Sequence, residues 1–176
     1  MAPPDLRRTP DAIKTRLTAR PAGDDMPAVQ RAALERIAET KASRRGQTVL
    51  LAGGAGEPAT RAAEALAAMM GIDAFRIDLA AVMSKYAGET EKSIEMVLRS
   101  AEVNQAVLLF DEADALFAPR SEVKDSHDRY ANLDMAALLT KLDSFEGVAL
   151  LATNLGTNID PAFSRRLRRV IDYTPR

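Results

Sequence analysis

Short apolar blocks alternate with longer stretches of helical spacing over most of the chain. Gln47–Ala52 (Gln-Thr-Val-Leu-Leu-Ala), Val107–Phe110 (Val-Leu-Leu-Phe) and Val148–Thr153 (Val-Ala-Leu-Leu-Ala-Thr) carry apolar runs with little polar alternation. Such runs suit strands buried on both faces, as in a parallel sheet covered by helices. Asp73–Leu79 and Val170–Tyr173 read as two further strands. Between the blocks, Val29, Ala33, Leu34, Ile37 and Ala38 fall at helical spacing from about Pro27 to Arg44. Arg44 and Arg45, followed by Gly46, end that helix. A helix rich in alanine and methionine runs to Met70 and is stopped by Gly71. Glu89 to Val103 is an amphipathic helix with Ile94, Val97 and Leu98 inward, and another helix spans about Tyr130 to Phe145. Asp160-Pro161 opens a last helix with a capping acid and a proline in its first turn. This order predicts an α/β fold, a parallel five-stranded sheet with helices on both faces.

The beginning of the chain has a different character. Pro3, Pro4, Pro10, Pro21 and Pro27 stand among charged residues, so residues 1–27 read as a flexible arm and 28–176 as the core. A short amphipathic helix also fits within Asp11 to Ala19. A length of 176 residues is enough for one domain with a substantial core. The formal charge of −1 offers no electrostatic footing for nucleic acid. There is no cysteine, which excludes disulfides and thiolate metal sites. No apolar run approaches the roughly 20 residues of a membrane span, and the start lacks a signal peptide's apolar segment. A cytoplasmic protein without membrane or nucleic-acid partners is the expectation.

Candidate chemistry gathers where strands end. Val107–Phe110 runs straight into Asp111 and Glu112, at the carboxyl end where open α/β sheets bind ligands. Asp111 suits a hydrated Mg²⁺, which takes one or two protein carboxylates plus phosphate oxygens, and Glu112 suits orienting a water. The competing reading is a helix start whose acids complement the dipole. Gln47–Ala52 runs into Gly53-Gly54-Ala55-Gly56-Glu57-Pro58-Ala59-Thr60 and then a helix, the context a phosphate-binding loop requires. Asn154 follows another buried strand, and Arg165, Arg166, Arg168 and Arg169 cluster near the end. His127, the only histidine, stands in a polar stretch and is assigned no catalytic role.

Taken together, these segments resemble the core of an AAA+ ATPase of the classical AAA type, over about Ala28 to Arg176. The resemblance implies a P-loop NTPase-type fold, with ATP and Mg²⁺ as cofactors. Leu108 to Asp114 has the form of the Walker B motif, in which Asp111 would help hold Mg²⁺ and Glu112 would polarise the attacking water. Asn154 matches sensor 1, although asparagine also commonly caps a turn at a strand end. Asp160 to Arg168 resembles the second region of homology, where Arg165 and Arg168 match two arginine fingers; a charged helix face is the plainer reading. Ser84 to Lys92 resembles pore loop 1, with Lys85 and Tyr86 at the positions that grip a protein substrate, against the alternative of a surface tyrosine. The stretch from Asp111 to Tyr130 looks closest to AAA proteins of phage-tail-like contractile injection systems.

The loop departs from the pattern Gly-x-x-x-x-Gly-Lys-Ser/Thr. Gly53 stands at the first glycine, Pro58 at the second, Ala59 at the lysine and Thr60 at the metal-binding hydroxyl, with Gly54 and Gly56 between. Ala59 removes an ammonium; a unit charge pair at about 4 Å is worth roughly 4 kcal/mol at an effective dielectric of 20. Pro58 deletes an N–H donor, and Glu57 adds a carboxylate. After Tyr173-Thr174-Pro175 the family's helical lid is expected to be absent. Two functions follow. One is a protein-interaction or regulatory subunit, weak or defective in ATP binding, in a homo- or hetero-oligomer. The other is an active Mg²⁺-dependent ATPase that remodels protein substrates.

Overall fold

The computed structural model describes residues 14–40, 46–79, 82, 89–114, 137–155, 159, 161–165, 167 and 169–173. Six strands form one sheet: β1 (Lys14–Leu17), β2 (Gln47–Ala52), β3 (Ala74–Ile77), β4 (Val107–Phe110), β5 (Val148–Thr153) and β6 (Arg169–Asp172), in the order β1-β3-β4-β5-β2-β6. Helices among the described residues include α1 (Ala28–Glu39), α2 (Glu57–Met70), α3 (Glu89–Asn104), α4 (residues 137–144) and the single turn α5 (Pro161–Ser164).

The apolar runs divide by parity. Val49, Leu51, Val107, Leu109, Val148 and Leu150 face one side, where α1 supplies Leu34 and Ile37 and α2 supplies Ala62, Ala63 and Leu66. Leu50, Leu108, Phe110, Ala149 and Leu151 face the other, against Ile94, Val97 and Leu98 of α3 and Leu138 and Leu142 of α4. Two apolar faces per strand require two helical layers, which is why these strands lack polar alternation. The buried face of α2 is largely alanine, so its backbone lies close to the sheet. Gly71 ends that helix in the left-handed region at φ 64°, with its N–H turned back to the carbonyls of Ala67 and Ala68.

β2, β3, β4, β5 and β6 are mutually parallel, as the alternation of blocks predicts. The sixth strand is a correction. Residues 14–17, expected to lie in a flexible arm or a short helix, form β1, which pairs antiparallel with β3, Lys14 opposite Ile77 and Leu17 opposite Ala74. Lys14 is only 8% exposed, with its ammonium 5.6 Å from the centre of the Phe75 ring. Arg16 donates to Asp73 at 2.8 Å. Among the described residues the strand pairs with β3 alone, at one end of the sheet, and charged residues are the usual occupants of such an edge position. The rest of residues 18–27 is also fastened. Arg20 N–H donates to the Glu64 carbonyl at 3.2 Å, and the Arg31 guanidinium donates to the Gly23 carbonyl at 2.6 Å.

α1 ends at Glu39, where the Thr40 hydroxyl donates to the Ile37 carbonyl at 2.7 Å. The Arg44-Arg45 stop expected for it lies outside the described residues, as do residues 130–136 of the helix expected from Tyr130, of which residues 137–144 are seen.

Candidate functional site

The carboxyl ends of β2, β5 and β4 lie side by side. Ala52 pairs with Thr153 and Phe110 with Leu151, so the loop after β2, the turn after β4 and the turn after β5 meet at one edge. Gly53 N–H donates to the Thr153 carbonyl at 2.7 Å, and Tyr173 N–H to the Ala52 carbonyl at 2.8 Å. Gly54 has no room for a side chain: a Cβ there would lie 2.9 Å from Cγ of Tyr173. Gly56 sits at φ 88°, ψ −132°, a conformation few residues other than glycine adopt. α2 begins at Glu57, with Pro58 in its first turn.

The loop residues named from sequence therefore lie as expected, on a strand–turn–helix unit, but their surroundings differ from a cationic cradle. Ala59 has no exposed surface and packs with Ala62, Ala63 and Leu66. Glu57 and Pro58 are exposed, and Thr60 is half-buried, its N–H donating to the Gly56 carbonyl at 3.1 Å. The amide of Gly56 donates to Asp111 Oδ1 at 3.0 Å. That same oxygen accepts the N–H of Glu112 at 2.9 Å. Loop and acid turn are thus joined directly.

The acid turn is bent sharply. Glu112 stands at φ 54°, left-handed for a residue other than glycine, and its side chain is exposed at the edge. Ala113 N–H donates to the Ala152 carbonyl at 2.8 Å, which fixes the turn to β5. Asp114, not singled out from sequence, makes the next link. Its Oδ1 accepts the hydroxyl of the fully buried Thr153 and the backbone N–H of Asn154, the latter at 2.8 Å. The Thr153 hydroxyl oxygen in turn accepts the N–H of Leu155 at 3.1 Å. Asn154 is placed beside the acids by backbone and carboxylate together, with its own side chain exposed. The signal for Asp114 was its step of two residues beyond Glu112, on the same short turn.

A second set of residues missed from sequence lies on the other side of the loop. Arg61, in the first turns of α2, donates to Asp25 Oδ2 at 2.6 Å, to the Arg20 carbonyl at 3.0 Å and to the Pro21 carbonyl at 2.6 Å. The guanidinium beside it holds the Asp25 carboxyl down at about 2. Met26, Pro27, Pro58 and Tyr173 line a pocket of about 520 Å³ next to this strap. Burial pushes the Tyr173 phenol up to about 12.

The edge meets the two implied cofactors unequally. Asp111 has both its hydrogen bonds among the described residues on Oδ1, leaving Oδ2 for a hydrated Mg²⁺, which needs only one or two carboxylates. Among the described residues there is no cluster of three or more metal-binding side chains. The triphosphate fits less well, because Ala59 brings no charge to the loop and Gly56 N–H is already engaged by a carboxylate. Arg165 lies exposed just after α5, with its N–H on the Pro161 carbonyl at 3.3 Å. Arg168, Asp160, Lys85, Tyr86 and His127 lie outside the described residues.

Comparison with known proteins agrees with this layout. Residues 49–175 match the family described as ATPase family associated with various cellular activities (AAA). The chain is 37% identical over 134 residues to ATPase family gene 2 protein of Schizosaccharomyces pombe, covering 72% of this chain and 16% of that protein. It is 32% identical over 132 residues to a 26S proteasome regulatory subunit 6B homolog of the same organism, covering 71% of this chain and 34% of that one. The chain therefore spans well under half the length of these curated relatives. In fold, it matches the FIGL-1 AAA domain solved in complex with ADP at a TM-score of 0.69 and 21% identity, over 91% of this chain and 57% of that one. A sheet with loop, acid turn and asparagine turn at one edge, together with these matches, places the chain in the AAA family of ATPases.

Proposed function

We propose that this chain is an AAA domain with a degenerate Walker A loop, weak or defective in ATP binding and hydrolysis, that acts as a protein-interaction or regulatory subunit. The observation that carries this reading is Ala59: the loop's cation position is held by a methyl group with no exposed surface, packed into the core. A triphosphate at this edge would meet the negative charge of Glu57, Asp111 and Glu112 without the loop ammonium that normally offsets it.

In this role the domain keeps the intersubunit chemistry while its own pocket is idle. Arg165 and Arg168 act as fingers toward a competent neighbour in a homo- or hetero-oligomer, where guanidinium charge stabilises phosphoryl transfer. Lys85 and Tyr86 contribute to a pore that handles a protein substrate. The setting is cytoplasmic, in the manner of AAA proteins of contractile injection systems. No helix among the described residues is long and apolar enough to cross a membrane.

A second reading is favoured by the intact edge. Asp111, Glu112 and Asn154 stand together, and Asp114 braces the last of them. With Mg²⁺ on Asp111 and Thr60 and with Gly53, Gly54 and Gly56 around a phosphate, the same edge would serve an active ATPase, Glu112 orienting the water and Asn154 holding it.

Restoring the loop separates the two. The triple variant Glu57→Thr, Pro58→Gly, Ala59→Lys is expected to gain saturable ATP–Mg²⁺ binding that the parent lacks, read by calorimetry. Equal affinity before and after the change would show that these residues do not control binding.

A further inference from the structure

The Gly56–Asp111 hydrogen bond ties the loop to the acid that a metal-holding role would leave open toward the nucleotide. Three features make it a stable arrangement. Gly56 N–H is the N-cap amide of α2, and Ala59, three residues on, has no side chain that could accept it, so the amide takes its acceptor from elsewhere. The Asp111 carboxylate is held in place by a second donor, Glu112 N–H at 2.9 Å, on the same oxygen. The aligned registers of β4, β5 and β2 set the two turns against each other, so the bond needs no rearrangement of the sheet. A hydrogen bond to an ionised acceptor is among the stronger ones. Ala59 supplies no ammonium to compete with the Gly56 amide for the carboxylate.

Resting on the reading that the loop is defective, we propose that Asp111 is an autoinhibitory ligand of the loop, closing it in cis to the nucleotide. Asp111 then opposes nucleotide binding in this chain, the reverse of its role as a metal ligand. The two roles differ in the sign of one experiment. If Asp111 serves binding by holding Mg²⁺, removing it weakens nucleotide binding. If it closes the loop, removing it strengthens binding.

The test uses the full chain and its Asp111→Ala and Asp111→Asn variants, each checked for a native thermal transition. ADP is titrated with and without Mg²⁺, the arm with Mg²⁺ deciding the sign, and amide hydrogen exchange is followed at Gly56. Exchange at Gly56 is expected to rise at least about tenfold in Asp111→Ala and by less in Asp111→Asn, which keeps an uncharged acceptor. ADP binding is expected to rise by a similar factor in Asp111→Ala and to restore protection at Gly56. Unchanged exchange at Gly56, or ADP affinity that stays level or falls in the variants, overturns the proposal. This outcome is separate from the broader reading: micromolar ATP binding by the parent would sink the defective-loop assignment, whereas the sign of the Asp111 effect decides the closure.

Discussion

Tyr173 is the residue whose surroundings fit it least. Its ring fills the space left by Gly54, yet its hydroxyl is buried with no hydrogen-bond partner among the described residues. A buried donor without an acceptor opposes folding, whereas the ring's contact favours it. Tyr173→Phe is therefore expected to raise stability by about 1 kcal/mol in urea unfolding. A loss of stability would mean that the hydroxyl has a partner after all. The phenol also sets a pH window. Its folded value, about 12, lies above the ordinary 10.0, so the neutral form is favoured in the fold. Its contribution is complete below 10 and is lost as pH rises toward about 12, because the unfolded chain ionises first. The Phe variant is expected to lack this alkaline fall. Asp25 has the opposite sign. Arg61 lowers its carboxyl from 3.8 to about 2, so its contribution holds above 3.8 and is lost as pH falls toward 2.

Among the elements, the strap of residues 18–27 and strand β1 separate what the sequence made legible from what it hid. β2, β4 and β5 were legible because burial on both faces leaves an unbroken apolar run, and the structure places all three in the middle of the sheet. β1 reads Lys-Thr-Arg-Leu, with neither alternation nor an apolar run, as suits an edge strand that among the described residues pairs with β3 alone. The prolines nearby read as part of a flexible arm and gave no sign that residues 18–27 are fastened. That depends on Arg61, whose partners Asp25, Arg20 and Pro21 are 36 to 41 residues away in sequence. Arg61→Met is expected to speed limited proteolysis within residues 18–24 several-fold. The global unfolding free energy should change far less than the cleavage rate, since Asp25 faces solvent and ion pairs that meet water contribute little. Unchanged cleavage would show that β1 pairing and the Arg20–Glu64 and Arg31–Gly23 hydrogen bonds hold the strap without Arg61.

At the scale of the whole molecule, the sheet brings Gly56, Asp111, Asp114 and Asn154 to one edge from three strands. The sequence located the acids, the glycines and the asparagine because each follows a recognisable apolar block. Their links were hidden: a bond from Gly56 to Asp111 spans 55 residues, and one from Asn154 to Asp114 spans 40. Asp114 escaped notice for the same reason, its role being set by register between β4 and β5 and not by local pattern. The proposed loop lesion rests on Ala59, which stands where the family pattern has a lysine, and the structure adds that its methyl group has no exposed surface. A fold kept intact around a loop without a cation underlies the proposed weakness in nucleotide binding. Calorimetric titration of the full chain with ATP and Mg²⁺, at protein concentrations high enough to reveal weak sites, tests it most directly. The account predicts no saturable heat up to millimolar nucleotide. Saturable binding at micromolar strength would contradict it and return the intact edge to the service of an active ATPase.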